Sequence, residues 1–191
     1  AVRTLPDGRL HVHMLPVDKG IAALIETPSG AQVLVDGGGD PATLLTALGG
    51  VSPFWDRSLD LALLSVADKH AASTQAALPA RLVVRSALGP PATGASSDDA
   101  AEGRLRTWQD AGVPVTHTVA GGWVDLGDGV ALWAEAAPPT PRGTLQHLTW
   151  RLVYGDFSLL LPGSAPPFGL PADVLLLRSA AHADDGWPAT A

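Results

Sequence analysis

The stretch Leu59 to Ser65 is apolar except at Asp60 and its closing serine, and no other feature narrows the fold as much. A strand with one wet face alternates apolar and polar side chains, whereas an unalternated strand is covered on both faces. A sheet that contains it has to lie between two other layers. The elements on either side say what those layers are.

Upstream, Arg9 to Leu15 alternates and reads as a strand, and Ile21 to Thr27 reads as a second, joined by a tight turn at Asp18-Lys-Gly20. Pro28-Ser-Gly30 is a hairpin signal, and Gln32 to Asp36 is the returning strand. A loop follows at Asp36-Gly-Gly-Gly-Asp40. Asp40 is a good helix N-cap, Pro41 suits the first helical position, and Gly49-Gly50 is expected to close the helix.

Downstream, His70 to Leu78 is a short helix candidate and Arg81 to Arg85 a strand. Asp98 to Ala111 is a helix stopped by Gly112 and Pro114. Gly89 to Ser97, rich in Pro, Gly and Ser, is expected to be a loop. After Pro114 the signal is all strand: Val115 to Val119, Trp123 to Leu126, Val130 to Glu135, Gln146 to Tyr154, Phe157 to Leu161 and Asp173 to Leu177. Gly127-Asp-Gly129 and Gly155-Asp156 supply hairpin turns. This order predicts an α/β (α+β) fold of two packed mixed sheets flanked by helices. No repeat or linker divides it, so residues 1–191 read as one domain.

Composition excludes several function classes. Twelve Lys and Arg against 19 Asp and Glu leave a formal net charge of −7. Broad, sequence-blind binding to nucleic acid needs clustered cations, and this balance argues against it while leaving room for a local arginine patch. There is no cysteine, hence no disulfide and no thiolate zinc site. No apolar run approaches the ~20 residues that span a bilayer. Ala1 opens without a charged n-region or an apolar h-region, so no signal peptide is expected. Both ends read as the edges of a segment cut from a larger protein.

Four segments carry a resemblance. They are Leu10-His-Val-His-Met-Leu-Pro-Val-Asp-Lys-Gly-Ile-Ala-Ala-Leu-Ile-Glu-Thr-Pro-Ser-Gly30, Val33-Leu-Val-Asp-Gly-Gly-Gly-Asp-Pro41, Pro53-Phe-Trp-Asp-Arg-Ser-Leu-Asp-Leu61 and Tyr154-Gly-Asp-Phe-Ser-Leu-Leu-Leu-Pro-Gly163. Together they make the chain similar, over nearly its whole length, to the metallo-β-lactamase-fold C-terminal domain of ComEC/Rec2 competence proteins, which act in DNA uptake. The resemblance implies a four-layer αββα sandwich with a metal site along one edge. It also implies a domain of a membrane protein, on the extracytoplasmic face.

At that site the resemblance implies losses. The family loop after the strand at Leu61 to Leu64 carries a Thr-His-x-Asp-x-Asp-His pattern. Here Ser65 stands for the Thr and Val66 for the first His; Asp68 and His70 match an Asp and the terminal His, with Lys69 beside them and one position deleted. A valine cannot ligate a metal, and an ammonium beside a dication is repulsive. Leu161-Pro-Gly-Ser164 puts Ser164 at a family aspartate, and Arg178-Ser-Ala-Ala-His182 puts Ser179 and Ala180 at family histidines. His182 lies downstream and is not carried over. Pro16 and Ile21 occupy two further acidic positions of the family.

A binuclear site that activates water needs roughly five to seven N and O donors. Asp68, His70 and Asp36 are the weak candidates left. No catalytic residue is assigned, and Ser65, Val66, Asp68, Lys69, His70, Ser164 and Ser179 form a vestigial site. No metal or other cofactor is expected, with zinc or manganese the alternative for an active site.

Other residues carry a chemical and a bland reading side by side. His11 and His13 share a strand face and could grip a metal, or could be a solvated strand face. Asp36-Gly-Gly-Gly-Asp40 could cradle an anion at a helix start, or serve turn geometry and capping alone. Ser65, Asp68 and His70 include the side chains of a nucleophilic trio, but nothing places an oxyanion hole. Trp55 beside Arg57, and Trp187, could face a partner.

The expected role is a non-catalytic domain serving structure, assembly or weak contact with single-stranded DNA. Its expected partner is the membrane-embedded channel part of the same protein, with no span in this segment. The alternatives are a metal-dependent phosphodiesterase or nuclease with a rebuilt site, and a soluble ligand- or protein-binding domain using the old cleft.

Overall fold

The computed structural model describes residues 6–18, 20–52, 56–65, 74–75, 77–89, 99–136, 148–161 and 172–175. β1 (His11–Met14), β2 (Ala22–Glu26) and β3 (Gln32–Asp36) form an antiparallel meander. Helix α1 (Pro41–Val51) leads to β4 (Ser58–Leu59) and β5 (Leu61–Leu63). A 3-10 turn at Leu78–Ala80 precedes β6 (Val83–Val84), β7 (Ala87–Gly89), helix α2 (Asp99–Asp110) and β8 (Val115–His117). The second half is β9 (Trp123–Gly127), β10 (Val130–Ala136), β11 (Leu148–Tyr154), β12 (Phe157–Leu161) and β13 (Val174–Leu175).

Two main sheets result, ordered β1-β2-β3-β5-β7-β8 and β13-β12-β11-β10-β9, with a small parallel pair β4-β6. The strands between them read as near-continuous apolar runs because each feeds two cores. In β2, Ala22 and Leu24 face α1, while Ala23 and Ile25 face the second sheet. Val33 and Val35 of β3 and Leu61 and Leu63 of β5 meet Leu132, Trp150, Leu152 and Leu159 across the sandwich. Fully burying a side chain of this size contributes ~1.5–3 kcal/mol, so this interface and the core on the helix side of the first sheet both contribute heavily to the fold.

The outer layer on the first sheet is made of helices. Leu44, Ala47 and Leu48 of α1 are buried, at the spacing that lines one helix face. Leu105 and Trp108 of α2 are buried too, and Trp108 joins the α1 core. Gly112, at φ 80°, ends α2, with Val113 N–H donating to Trp108 O at 2.9 Å in the manner of a Schellman cap.

Three local expectations differ from the structure. The stretch Leu59 to Ser65 is two strands, because Asp60 turns the chain between them. Its N–H donates to Gln32 O at 2.9 Å and its Oδ2 accepts the Gln32 N–H at 2.8 Å, so Ser58–Leu59 pairs with β6 and Leu61–Leu63 with β3 and β7. Gly49 and Gly50 lie inside α1, which runs on to Val51 and caps on Ser52. The strand Ala87–Gly89 has no strand signature of its own and forms because parallel neighbours supply its ladder on both sides.

Candidate functional site

β3, β5, β7 and β8 run parallel, so their carboxyl ends share one edge, where open α/β sheets place ligands. The register pairs Val35 with Leu63, which leaves Asp36 and Ser65 just past the last pair on adjacent strands. Asp36 has φ 55°, a left-handed conformation that Asp tolerates better than most residues. It swings the chain out of the sheet into the three-glycine loop.

The Asp36 carboxylate is buried and held by Ser65. The Ser65 N–H donates to Oδ1 at 2.9 Å, and its hydroxyl donates to Oδ2 at 2.5 Å. Bonds to a charged acceptor contribute ~1.5–3 kcal/mol each, more than neutral ones. Two further buried side chains close the arrangement. Gln75 Nε2 donates to Asp36 O at 2.9 Å and to Leu63 O at 3.0 Å, and Thr74 Oγ1 donates to Gly38 O at 3.1 Å. Gln75 therefore ties the ends of two parallel strands together, and Thr74 ties the glycine loop to the same point.

Packing explains the glycines. A Cβ on Gly37 would meet Leu44 Cδ2 at 3.0 Å, and one on Gly38, at φ 69°, would meet Val17 Cβ at 2.5 Å. The Gly39 N–H donates to Asp18 Oδ1 at 3.2 Å. Asp40 caps α1, its Oδ2 accepting the Thr43 N–H at 2.7 Å and the Thr43 hydroxyl at 2.8 Å. Those bonds hold the Asp40 carboxyl below its ordinary range. The loop is committed to turn and cap geometry.

Of the residues singled out from sequence, the structure brings together Asp36 and Ser65. Val66, Asp68, Lys69, His70, Ser164, Ser179, Ala180, His182, Trp55 and Trp187 lie outside the described residues. His11 and His13 do share a face, with rings stacked at 5.9 Å. Each points Nε2 at a carboxylate: His11 at Asp7 (3.0 Å) and His13 at Glu26 (2.9 Å). Thr74 and Gln75 were not anticipated as site residues. Their signal is a run of three polar side chains, Ser73-Thr74-Gln75, between alanine pairs.

Whether these residues fit a metal is a question of donors. Among the described residues no group of three or more His, Asp or Glu could hold a metal ion, and both oxygens of Asp36 already accept from Ser65. The described residues alone do not fit a metal, and no chemical step is derived through one.

No family model matches the sequence, and no curated protein matches it. Solved structures do share the fold. CmlA, a diiron β-hydroxylase from Streptomyces venezuelae, aligns at TM-score 0.53 and 17% identity, over 77% of this chain and 30% of that one. Zinc-bound PqqB from Methylobacterium extorquens aligns at 0.53 and 9% identity, over 76% of this chain and 50% of that one. A metallo hydrolase from Ignicoccus hospitalis aligns at 0.51 and 12% identity, over 80% of this chain and 61% of that one. The chain thus spans less than two thirds of each of these proteins.

These likenesses correct one expectation. A domain with no metal or other cofactor was expected from the substituted ligand positions, but the fold is shared with a diiron protein and a zinc-bound one. The expectation of no cofactor is therefore not retained. No helix among the described residues is long and apolar enough to cross a membrane. At the level of architecture the comparison agrees with the sheets and helices above: the chain has a metallo-β-lactamase-like sandwich fold.

Proposed function

We propose that this chain is a ComEC/Rec2-type domain of a DNA-uptake protein that serves assembly rather than hydrolysis. It would sit on the extracytoplasmic face, against the membrane-embedded channel part of the same protein. The observation that carries the reading is the state of the carboxyl-end edge. Among the described residues, Asp36 and Ser65 bond to each other, Gln75 to the ends of two strands and Thr74 to the glycine loop, an arrangement that braces a sheet rather than presenting groups to a substrate. The sequence adds Val66, Ser164 and Ser179 at positions where the family has ligands. Contact with single-stranded DNA, if made, is weak, since a net charge of −7 opposes phosphate.

The test is a strand-cleavage assay on single- and double-stranded DNA with added manganese, beside a Val66→His, Ser164→Asp double variant. The expected result is no cleavage by the natural chain. Metal-dependent cleavage that disappears in Asp68→Ala and His70→Ala would overturn the proposal. Bound metal without turnover would leave it standing, because the claim concerns hydrolysis.

A further inference from the structure

We infer that the open edge of β9 is a docking site for an extended, basic segment of a partner protein. β9 ends its sheet, and among the described residues no strand pairs with its far side. An antiparallel ladder alternates the strand to which each residue's N–H and C=O point. Ala134 of β10 bonds to Gly121 and Gly122, so Leu132 and its partner Val124 are the next bonded pair. The backbone groups of Trp123 and Asp125 then point to the open side. Natural edges are blunted by Lys and other charges, Pro, β-bulges or very short length; β9 has five residues and neither Lys nor Pro, and its register shift opposite Val130 and Ala131 falls at the Gly127 end, leaving Trp123 to Asp125 in regular register. Its one charge is Asp125, whose Oδ1 accepts the Gly127 N–H at 2.8 Å and whose other oxygen is left for a partner.

The side chains fit the same use. Trp123 is 55% exposed and stacks on Trp133, with ring centroids at 5.5 Å and planes 17° apart. Their inner faces cover each other, and the outer face of Trp123 lies on the edge side of the pair. A strand added to β9 would bring side chains to cross-strand distance of Trp123 and Asp125. A Lys or Arg there gains a cation–π contact and a carboxylate partner.

Charge selects among occupants. Asp125 shares the outer sheet face with the tryptophans, two residues along β9. Arg151, opposite Trp133, is ion-paired with Glu135, so it does not offset Asp125. A second copy pairing antiparallel about the middle of β9 would set two Asp125 carboxylates against each other, which destabilises a ladder. A nucleic-acid strand would bring phosphates to the same carboxylate. A basic peptide meets neither objection.

The inference deepens the assembly reading by naming the partner's chemistry, and takes its biological purpose from it. Its test is separate. The whole chain is titrated with a capped peptide of alternating Thr and Lys about as long as β9, following tryptophan fluorescence and the Trp123 and Asp125 amide shifts. Controls are the Thr-Glu counterpart, an analogue methylated on alternate backbone nitrogens, and oligothymidylate.

Saturable binding is expected for the Lys peptide, about tenfold or more tighter than for any control, with Asp125→Lys reversing the Lys/Glu preference. Equal binding of the methylated analogue would refute strand addition, and equal binding of the Glu peptide would refute the charge selection. Tighter binding of oligothymidylate, or self-association of the chain through Trp123, would replace the proposed occupant. DNA cleavage in the earlier assay would sink the assembly reading without touching these titrations.

Discussion

Replacing Gln75 by Met tests whether the carboxyl-end edge is braced as described. The side chain is 2% exposed and its amide nitrogen donates to two carbonyls, one at the end of β3 and one at the end of β5. Met has a similar length and volume but no donor, so a cavity contributes little. What is lost is two hydrogen bonds, each ~0.5–1.5 kcal/mol net, together with desolvation left uncompensated on two buried carbonyls. A carbonyl with a second lone pair tolerates this better than an N–H, which puts the sum at about 2–4 kcal/mol. A domain of this size loses ~2–4 °C of Tm per kcal/mol, so the melting temperature should fall by roughly 4–16 °C. Urea unfolding followed by far-UV circular dichroism measures the change directly, with the m-value unchanged if the native surface is preserved. Gln75→Glu should cost at least as much at neutral pH, since a carboxylate has no proton to donate. A loss below ~0.5 kcal/mol for Gln75→Met would refute the bracing argument.

Two further outcomes follow from the same geometry. Gly38→Ala should destabilise by about 2 kcal/mol or more, from a left-handed backbone and overlap with Val17; Gly49→Ala, in open space inside α1, should stabilise by ~0.5–1 kcal/mol, and parallel denaturation curves check both. Asp40 has a folded pKa below its ordinary value because of Thr43, so its contribution is present above the unfolded pKa of a free Asp and is lost as pH falls through the folded one; acid titration of stability should show this component in the natural chain and not in Asp40→Asn, which still caps.

The central strands were legible because burial on two faces leaves a mark in sequence: Val33, Val35, Leu61 and Leu63 are apolar at alternate positions whose intervening residues are apolar too; their order in the sheet was not. β7 was not legible, since Ala87, Leu88 and Gly89 carry no strand propensity and take their conformation from β5 and β8. The helix end at Gly49-Gly50 was misplaced because burial of Leu48 and packing of Val51 against the same core carry the helix through two poor helix formers. At the site, resemblance matched Ser65 to a family position and singled out Asp36, but not that they bind each other. Gln75 was illegible as a site residue: its role depends on two carbonyls that are distant in the chain.

Chemistry that depends on residue type alone could be read without coordinates: the two-sided burial of the central strands, the Asp40-Pro41 helix start, the absence of thiols and the anionic balance. Each rests on a property the side chain carries wherever it goes. Pairing needed the fold, because the partners of Asp36, Gln75 and Trp123 lie 29, 12 or 39, and 10 positions away, and such separations are closed by sheet register. The direction in which each backbone amide of β9 points is likewise set by its ladder with β10, and no local sequence pattern encodes it.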